Sequence, residues 1–156
     1  MQEIKDQLIK HLTGGAAFMP VEELLKFVSS ETVLRRPKDL PYSFYEIFYH
    51  MRFAQKDILD YIKDEDSTTH QWPQDYWPNS KSINSAEDWK LLKTNYFQEQ
   101  QELINYIMDP NNNLSKPVNS ETKNILLREV LLVIEHNAYH TGQLLIVLRS
   151  LGLYTA

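Results

Sequence analysis

Two histidines four residues apart are the residues of this sequence best suited to chemistry. His136 and His140 lie in the segment Glu135-His-Asn-Ala-Tyr-His-Thr-Gly-Gln-Leu144. On an α-helix of about 3.6 residues per turn, this spacing places both imidazoles on one side. Imidazole is the commonest protein ligand of transition metals, so the pair offers half of a tetrahedral or octahedral site.

A complete site needs a third ligand from elsewhere in the chain. Of the three other histidines, His11 ends a first helical segment and His70 lies in a loop, whereas His50 borders the apolar face of a second helical segment. Two adjacent helices would bring His50 to His136 and His140, and three histidines with an open position are typical of a catalytic metal site. A histidine beside an apolar face can equally be a hydrogen-bonded core residue, and spacing alone leaves both interpretations open.

Several other chemistries are excluded by missing motifs. Position 137 is Asn, so the general base of the zinc-protease motif His-Glu-x-x-His is absent. The sequence contains neither Gly-x-Ser-x-Gly nor a phosphate-binding glycine loop, and it has no cysteine. A serine hydrolase, a nucleotide site, a zinc-thiolate site and a cysteine nucleophile are therefore all excluded.

Apolar residues at helical spacing predict the elements that position the histidines. The first element spans residues 2–28, either as one bent helix or as two short helices, and we expect one bundle element with a local break at Gly14-Gly15, because glycine disfavours a helix interior. The second begins at Ser43, which forms a capping box with Glu46, and it ends at the acidic run 64–66.

Two further helices complete the pattern. The third begins at Ser85 as N-cap and ends near Met108, and the last runs from about Ser120 to Leu151, with Gly152 as its stop. One outer stripe of the last helix is polar, at positions 121, 128, 135, 142 and 149. Four helices without convincing strands predict an all-α protein, a four-helix bundle in one domain of residues 1–156.

An aromatic segment interrupts the connection between the second and third helices. The run Trp72-Pro-Gln-Asp-Tyr-Trp77-Pro is too rich in aromatic residues for a free linker, so it either covers one end of the bundle or lines a substrate pocket. The nearby polar residues Arg52, Gln55 and Asp57 are expected to form a solvated or interhelical face.

The amino-acid composition limits the kinds of partner that the protein is expected to bind. The net charge of −5 and the lack of a Lys/Arg cluster beyond Arg35-Arg36 argue against nucleic acid, which needs a basic face. The apolar runs are too short to span a bilayer, the charged start has no signal core, and no cysteine is present. We therefore expect a cytoplasmic protein that binds neither nucleic acid nor a membrane.

Three stretches together resemble the DinB-like and YfiT-like metalloenzymes. They are Leu126-Leu-Arg-Glu-Val-Leu-Leu-Val-Ile-Glu-His-Asn-Ala-Tyr-His-Thr-Gly-Gln-Leu144, the second-helix segment Leu40-Pro-Tyr-Ser-Phe-Tyr-Glu-Ile-Phe-Tyr-His50, which continues to Leu59, and the Trp-Pro loop. The resemblance extends over nearly the whole chain. One departure is Phe18, where relatives often carry His, so the pocket is expected to differ there.

The resemblance implies a bundle in which His50, His136 and His140 bind a divalent metal, zinc or nickel. It also implies a homodimer, and chemistry that includes transferases and an isomerase using thiols such as bacillithiol or mycothiol. Because this chain has no cysteine, such a reaction would need an external low-molecular-weight thiol.

Three functional hypotheses follow. The first is a metal-dependent enzyme acting on a small molecule, either by thiol-dependent transfer or by hydrolysis. The second is a non-catalytic bundle that binds a metal or a small ligand, which a fully enclosed site would favour. The third is an interaction bundle with unrelated histidines.

Overall fold

Five α-helices form where the sequence has apolar residues at helical spacing. The computed structural model describes residues 1–63, 70–79, 85–120 and 122–155, and within these ranges it has no β-strand. The protein is therefore all-α, as predicted. The helices are α1 Gln2–Thr13, α2 Val21–Leu25, α3 Phe44–Lys63, α4 Ala86–Met108 and α5 Leu126–Ser150.

Side-chain caps fix the beginnings of α3 and α4, as the sequence predicts. The Glu46 amide donates to Ser43 Oγ over 3.3 Å, and the Ser43 amide donates to Glu46 Oε2 over 2.8 Å, which completes the capping box. At α4, the Asp88 amide donates to Ser85 Oγ over 3.1 Å. These bonds satisfy amides that a helix leaves without intrahelical partners.

Helices α1, α3, α4 and α5 pack as a bundle around two apolar clusters. The first cluster joins the beginnings of α3 and α4 to the end of α5, through residues such as Phe44, Trp89 and Leu148. The second joins the ends of α3 and α4, including Ile62 and Ile107, to the beginning of α5. Helices α3 and α4 therefore run parallel, and α5 runs antiparallel to both.

This topology determines where the connection between α3 and α4 must lie. Because two neighbouring helices are parallel, the chain has to return along the length of the bundle before α4 begins, a long crossover rather than a tight turn. Residues 70–79, the described part of this return, contain a 3₁₀ turn at Gln74–Tyr76 and contact α3 near its middle.

The predicted start of the last helix near Ser120 is wrong, because α5 begins at Leu126. Ahead of it, Pro117 and Ile125 form an isolated antiparallel bridge. The Leu126 and Leu127 amides donate to the carbonyls of Lys116 and Leu114 over 3.1 and 2.9 Å. The loop backbone thus caps α5, a non-local pairing that helical spacing cannot reveal.

The prediction of one bundle element across residues 2–28 is also wrong. Gly14 and Gly15 adopt positive φ angles of 84° and 93°, which end α1 and separate it from the five-residue α2. Phe18 packs so closely on Gly14 that a Cβ there would lie 3.0 Å from its ring. Only α1 belongs to the bundle proper, and α2 packs against α5.

The polar stripe of α5 is confirmed where the structure describes it. Arg128, Glu135, Gly142 and Arg149 are all exposed, whereas position 121 and the acidic run 64–66 lie outside the described residues. Gly152 ends the helix with a φ of 70°, as predicted.

None of the described helices combines the length and the apolar character needed to cross a bilayer.

Gly142 and Gly152 give a matched pair of stability predictions. A Cβ at Gly142 would meet nothing within 4 Å, so Gly142→Ala should raise the free energy of unfolding by about 1 kcal/mol through helix propensity. Gly152→Ala should lower it by about 1 kcal/mol, because alanine resists a positive φ. Chemical denaturation measures both, and a destabilising Gly142→Ala would mean that a second chain covers this position.

Candidate metal centre

Three imidazoles from two antiparallel helices meet between the two apolar clusters. His50 lies on α3, and His136 and His140 lie one turn apart near the middle of α5. Nε2 of His50 and Nε2 of His136 are 3.1 Å apart, and one ring nitrogen from each of the three residues lies within 4.8 Å of the others. His50 and His140 are buried, and His136 is half-buried.

Hydrogen bonds on the far sides of two rings set their orientation. Nδ1 of His50 lies 3.1 Å from the Tyr76 carbonyl oxygen, which can only accept, so this nitrogen carries the proton. Nδ1 of His140 lies 2.7 Å from Oε1 of Gln143 and donates to it in the same way. Both rings consequently present an Nε2 lone pair to the centre, and such outer partners are typical of metal-binding histidines.

Burial keeps the three rings uncharged. It lowers the pKa of His136 to about 3, helped by repulsion from His140 and His50. It lowers the pKa of His140 to about 4 despite the opposing hydrogen bond to Gln143, and it lowers the pKa of His50 as well. Neutral imidazole is the form that binds a metal, so no proton has to be displaced near neutral pH.

The donor set fits a divalent transition metal. Two nitrogens of a tetrahedral zinc site, each about 2.0–2.1 Å from the ion, lie about 3.3 Å apart, close to the 3.1 Å between His50 and His136. Two lone pairs at this separation repel each other unless a proton or a cation lies between them. Three imidazoles without a carboxylate or thiolate suit zinc, nickel or copper better than magnesium or calcium.

The three histidines form one wall of a cavity of about 550 Å³. This volume lies within the range of small-molecule sites. The other walls come from the α3 face beyond His50, the α5 face around His136 and the aromatic loop. The cavity is lined by Tyr42, His50, Ala54, Asp57, Ile58, Trp72, Tyr76, Trp77, Leu132, His136, Tyr139, His140 and Gln143.

The aromatic loop lines this cavity, which decides between the two roles left open for it. The Trp77 ring stacks on His50 with centroids 4.3 Å apart and planes 4° from parallel, and Tyr42 stacks on Trp77 at 4.6 Å. Trp72 meets Tyr76 edge to face at 5.2 Å. The return segment therefore supplies a wall of the site and holds one of its imidazoles.

Asp57 also lines the cavity, and its side chain is partly exposed to solvent there. It lies seven residues beyond His50, which is two helical turns on the same face of α3. Its Oδ2 accepts a hydrogen bond from the Tyr76 hydroxyl. Arg52 and Gln55 form the predicted interhelical face, where they bond across to Glu99 and to the Tyr96 carbonyl of α4.

The remaining candidates lie elsewhere. His11 is exposed on α1, and His70 lies 3.8 Å from Asp57 without joining the three-histidine cluster. Phe18 and Asn137 line a second cavity of about 140 Å³ between α1, α2, α4 and α5. Phe18, the predicted point of departure from the family, therefore lies away from the three-histidine cavity.

Comparison with known families agrees with the fold and the cluster. The family model of the DinB superfamily matches residues 16–144, a span that includes all three histidines. The chain therefore belongs to the DinB superfamily. No curated protein and no solved structure matches it significantly.

The lowered pKa values predict how the stability of the metal-free protein depends on pH. The unfolded chain takes up protons on these histidines from about pH 6.5, whereas the folded His136 and His140 resist protonation to about pH 3 and 4. The unfolded state then binds more protons, so stability should fall as pH drops from about 6.5 to about 5, before most carboxylates titrate.

Urea denaturation of chelator-treated protein at both pH values measures this loss. His136→Gln should reduce the loss, and His11→Gln, at an exposed site on α1, should leave it unchanged. An equal loss in all three proteins would contradict the assignment to the buried cluster.

Proposed function

We propose that this protein is a divalent-metal-dependent enzyme that acts on a small molecule in the three-histidine cavity. One observation carries the proposal: three uncharged imidazoles direct ring nitrogens at a common point on the wall of a cavity large enough for a substrate. His50, His136 and His140 would hold the ion, with zinc or nickel as the expected metal. When bound, such an ion lowers the pKa of a water or thiol ligand and polarises a substrate oxygen.

The openness of the site favours an enzyme over a non-catalytic bundle. A structural metal is normally enclosed by four protein ligands, whereas the cluster of described residues contains three, and all of them face the cavity. Any further ligand would come from the cavity side, where a substrate or a thiol has access. Trp77 and Gln143 would keep His50 and His140 aligned.

Thiol-dependent transfer suits the chain better than hydrolysis. Hydrolysis needs a general base within hydrogen-bond reach of the water. Asn137 is buried away from the site, and Asp57, the carboxylate among the described lining residues, lies about 10 Å along α3 from His50. A thiol, whose unperturbed pKa is about 8.5, releases its proton to solvent far more readily than water, whose pKa is about 15.7, so it depends less on such a base. With no cysteine in the chain, it must be an external low-molecular-weight thiol.

Metal analysis tests whether the three histidines bind a divalent metal. Untagged protein loaded with zinc and then dialysed should retain about one equivalent per chain, as three imidazoles bind at one point. His140→Ala should lose most of the metal, and His11→Ala, the matched control on α1, should retain it. If the wild type holds no more zinc or nickel than His140→Ala, the metal site does not exist.

An activity assay tests whether the metal-loaded protein catalyses thiol-dependent transfer. Metal-loaded protein is incubated with a low-molecular-weight thiol and an electrophile, and loss of the thiol is followed. The rate should exceed that of thiol and electrophile alone, and it should return to that background in His140→Ala. No rate above background across a panel of electrophiles would count against transfer, whatever the metal content.

We also propose that the enzyme works as a homodimer in the cytoplasm, as the resemblance implies. Leu131 and Ile146 leave about half of their surface exposed on the outer face of α5, which supports this face as the contact. The stabilisation expected of Gly142→Ala requires this contact to leave Gly142 uncovered. Sedimentation that gives only the monomer mass at micromolar concentration would exclude the dimer.

A further inference from the structure

We propose that the cavity selects small molecules that carry a cationic group, with Asp57 as its counter-ion and the surrounding aromatic rings as its walls. This deepens the proposed function, and it rests on that function only in placing the reacting group of the molecule at the three histidines. Charge, exposed aromatic surface and helix geometry each support it.

The wall of the cavity carries a negative charge about two helical turns along α3 from His50. Among the described residues that line it, Asp57 is the carboxylate, and no lysine or arginine is present. An anionic group placed beside Asp57 would meet this carboxylate without a cationic side chain among the described lining residues, whereas a cationic group would find one complementary charge.

Asp57 retains the capacity to bind a cation. The Tyr76 hydroxyl donates to Oδ2 and holds the carboxylate in place, while Oδ1 lies 3.8 Å from Nε2 of His70, beyond hydrogen-bond distance. Lys56, the nearest lysine in sequence, pairs with Asp60 on the same helix. The side chain of Asp57 is 32% exposed and lines the cavity, so a ligand there can contact its carboxylate.

The aromatic rings around the cavity are exposed to an unusual degree. Among the described residues, the exposed large aromatic side chains are Phe27, Tyr42, Trp72 and Tyr139. All except Phe27 line this cavity, where Trp72 and Tyr139 leave about two thirds of their surface uncovered. Exposed aromatic surface gathered at one place marks a ligand site. Aromatic faces attract cations, tryptophan most strongly.

Helix geometry sets the size of the molecule. His50 and Asp57 are seven residues apart on α3, which corresponds to about 10 Å along the helix axis. A ligand that reaches both the three-histidine point and Asp57 therefore carries its cationic group and its reacting group at the two ends of a short chain or a single ring system. An amine, a quaternary ammonium or a guanidinium compound of this length meets the requirement.

A charge series on one skeleton tests the proposal without any metal. Phenylbutylamine, phenylbutanol and phenylbutyrate share a phenyl ring on a four-carbon chain and end in a cation, a neutral group and an anion. Each is titrated into chelator-treated protein by calorimetry, with fluorescence of Trp72 and Trp77 as a second readout. The variants are Asp57→Asn and the matched control Asp60→Asn, which removes the same charge one turn along α3, outside the cavity lining.

The amine should bind wild type and Asp60→Asn about tenfold more tightly than the alcohol, and the carboxylate should bind most weakly. In Asp57→Asn the amine should lose most of this preference, while the alcohol binds as before, because the amide can still accept from Tyr76. The proposal is overturned if the amine has no advantage in wild type, if no compound binds at millimolar concentration, or if Asp60→Asn matches Asp57→Asn.

Metal retention, measured separately on Asp57→Asn, distinguishes this proposal from the proposed function. A wild type that binds no metal yet prefers the amine would remove the enzyme proposal and leave the cation site standing. A wild type that binds metal but shows no charge preference would remove the cation site and leave the enzyme proposal standing.

Discussion

The burial of three imidazoles side by side is the constraint on which this structure depends. Polar rings lose hydration when they enter a protein interior, and charged rings lose far more, so the cluster is stable only while it is neutral and hydrogen-bonded on its outer side. The apolar clusters on either side supply the hydrophobic burial that offsets this cost, and Gln143 and the Tyr76 carbonyl satisfy two of the outer nitrogens. A bound metal ion would best stabilise the ring nitrogens that face one another in the cluster.

Helix α3 connects this centre to the rest of the bundle. One of its faces presents His50 and Asp57 to the cavity, and another bonds to α4 through Arg52 with Glu99 and through Gln55. Because the two sets of contacts alternate along the same helix, the wall of the site cannot shift without disturbing the α3–α4 interface. The histidine and the carboxylate are thus held at a fixed separation by a single rigid element.

Local sequence patterns were sufficient for the parts of the site that depend on one helix. Four-residue spacing paired His136 with His140, and the capping box located α3 and with it the apolar border on which His50 lies. Tertiary contacts decided the rest. The sequence around Asp57 has the same helical spacing whether its face of α3 meets solvent or lines a cavity. Helix α5 begins at Leu126 because its first amides donate to the carbonyls of Lys116 and Leu114, which precede the helix. Neither property is encoded in residue spacing.

The parallel course of α3 and α4 has an evolutionary consequence. It requires a long return segment, and that segment contributes Trp72, Tyr76 and Trp77 to the cavity without belonging to either apolar cluster. Residues outside the core change with little loss of stability. Substitutions at Trp72, which is exposed and makes no hydrogen bond to His50, could therefore change ligand preference while Trp77 and the Tyr76 carbonyl continue to orient His50.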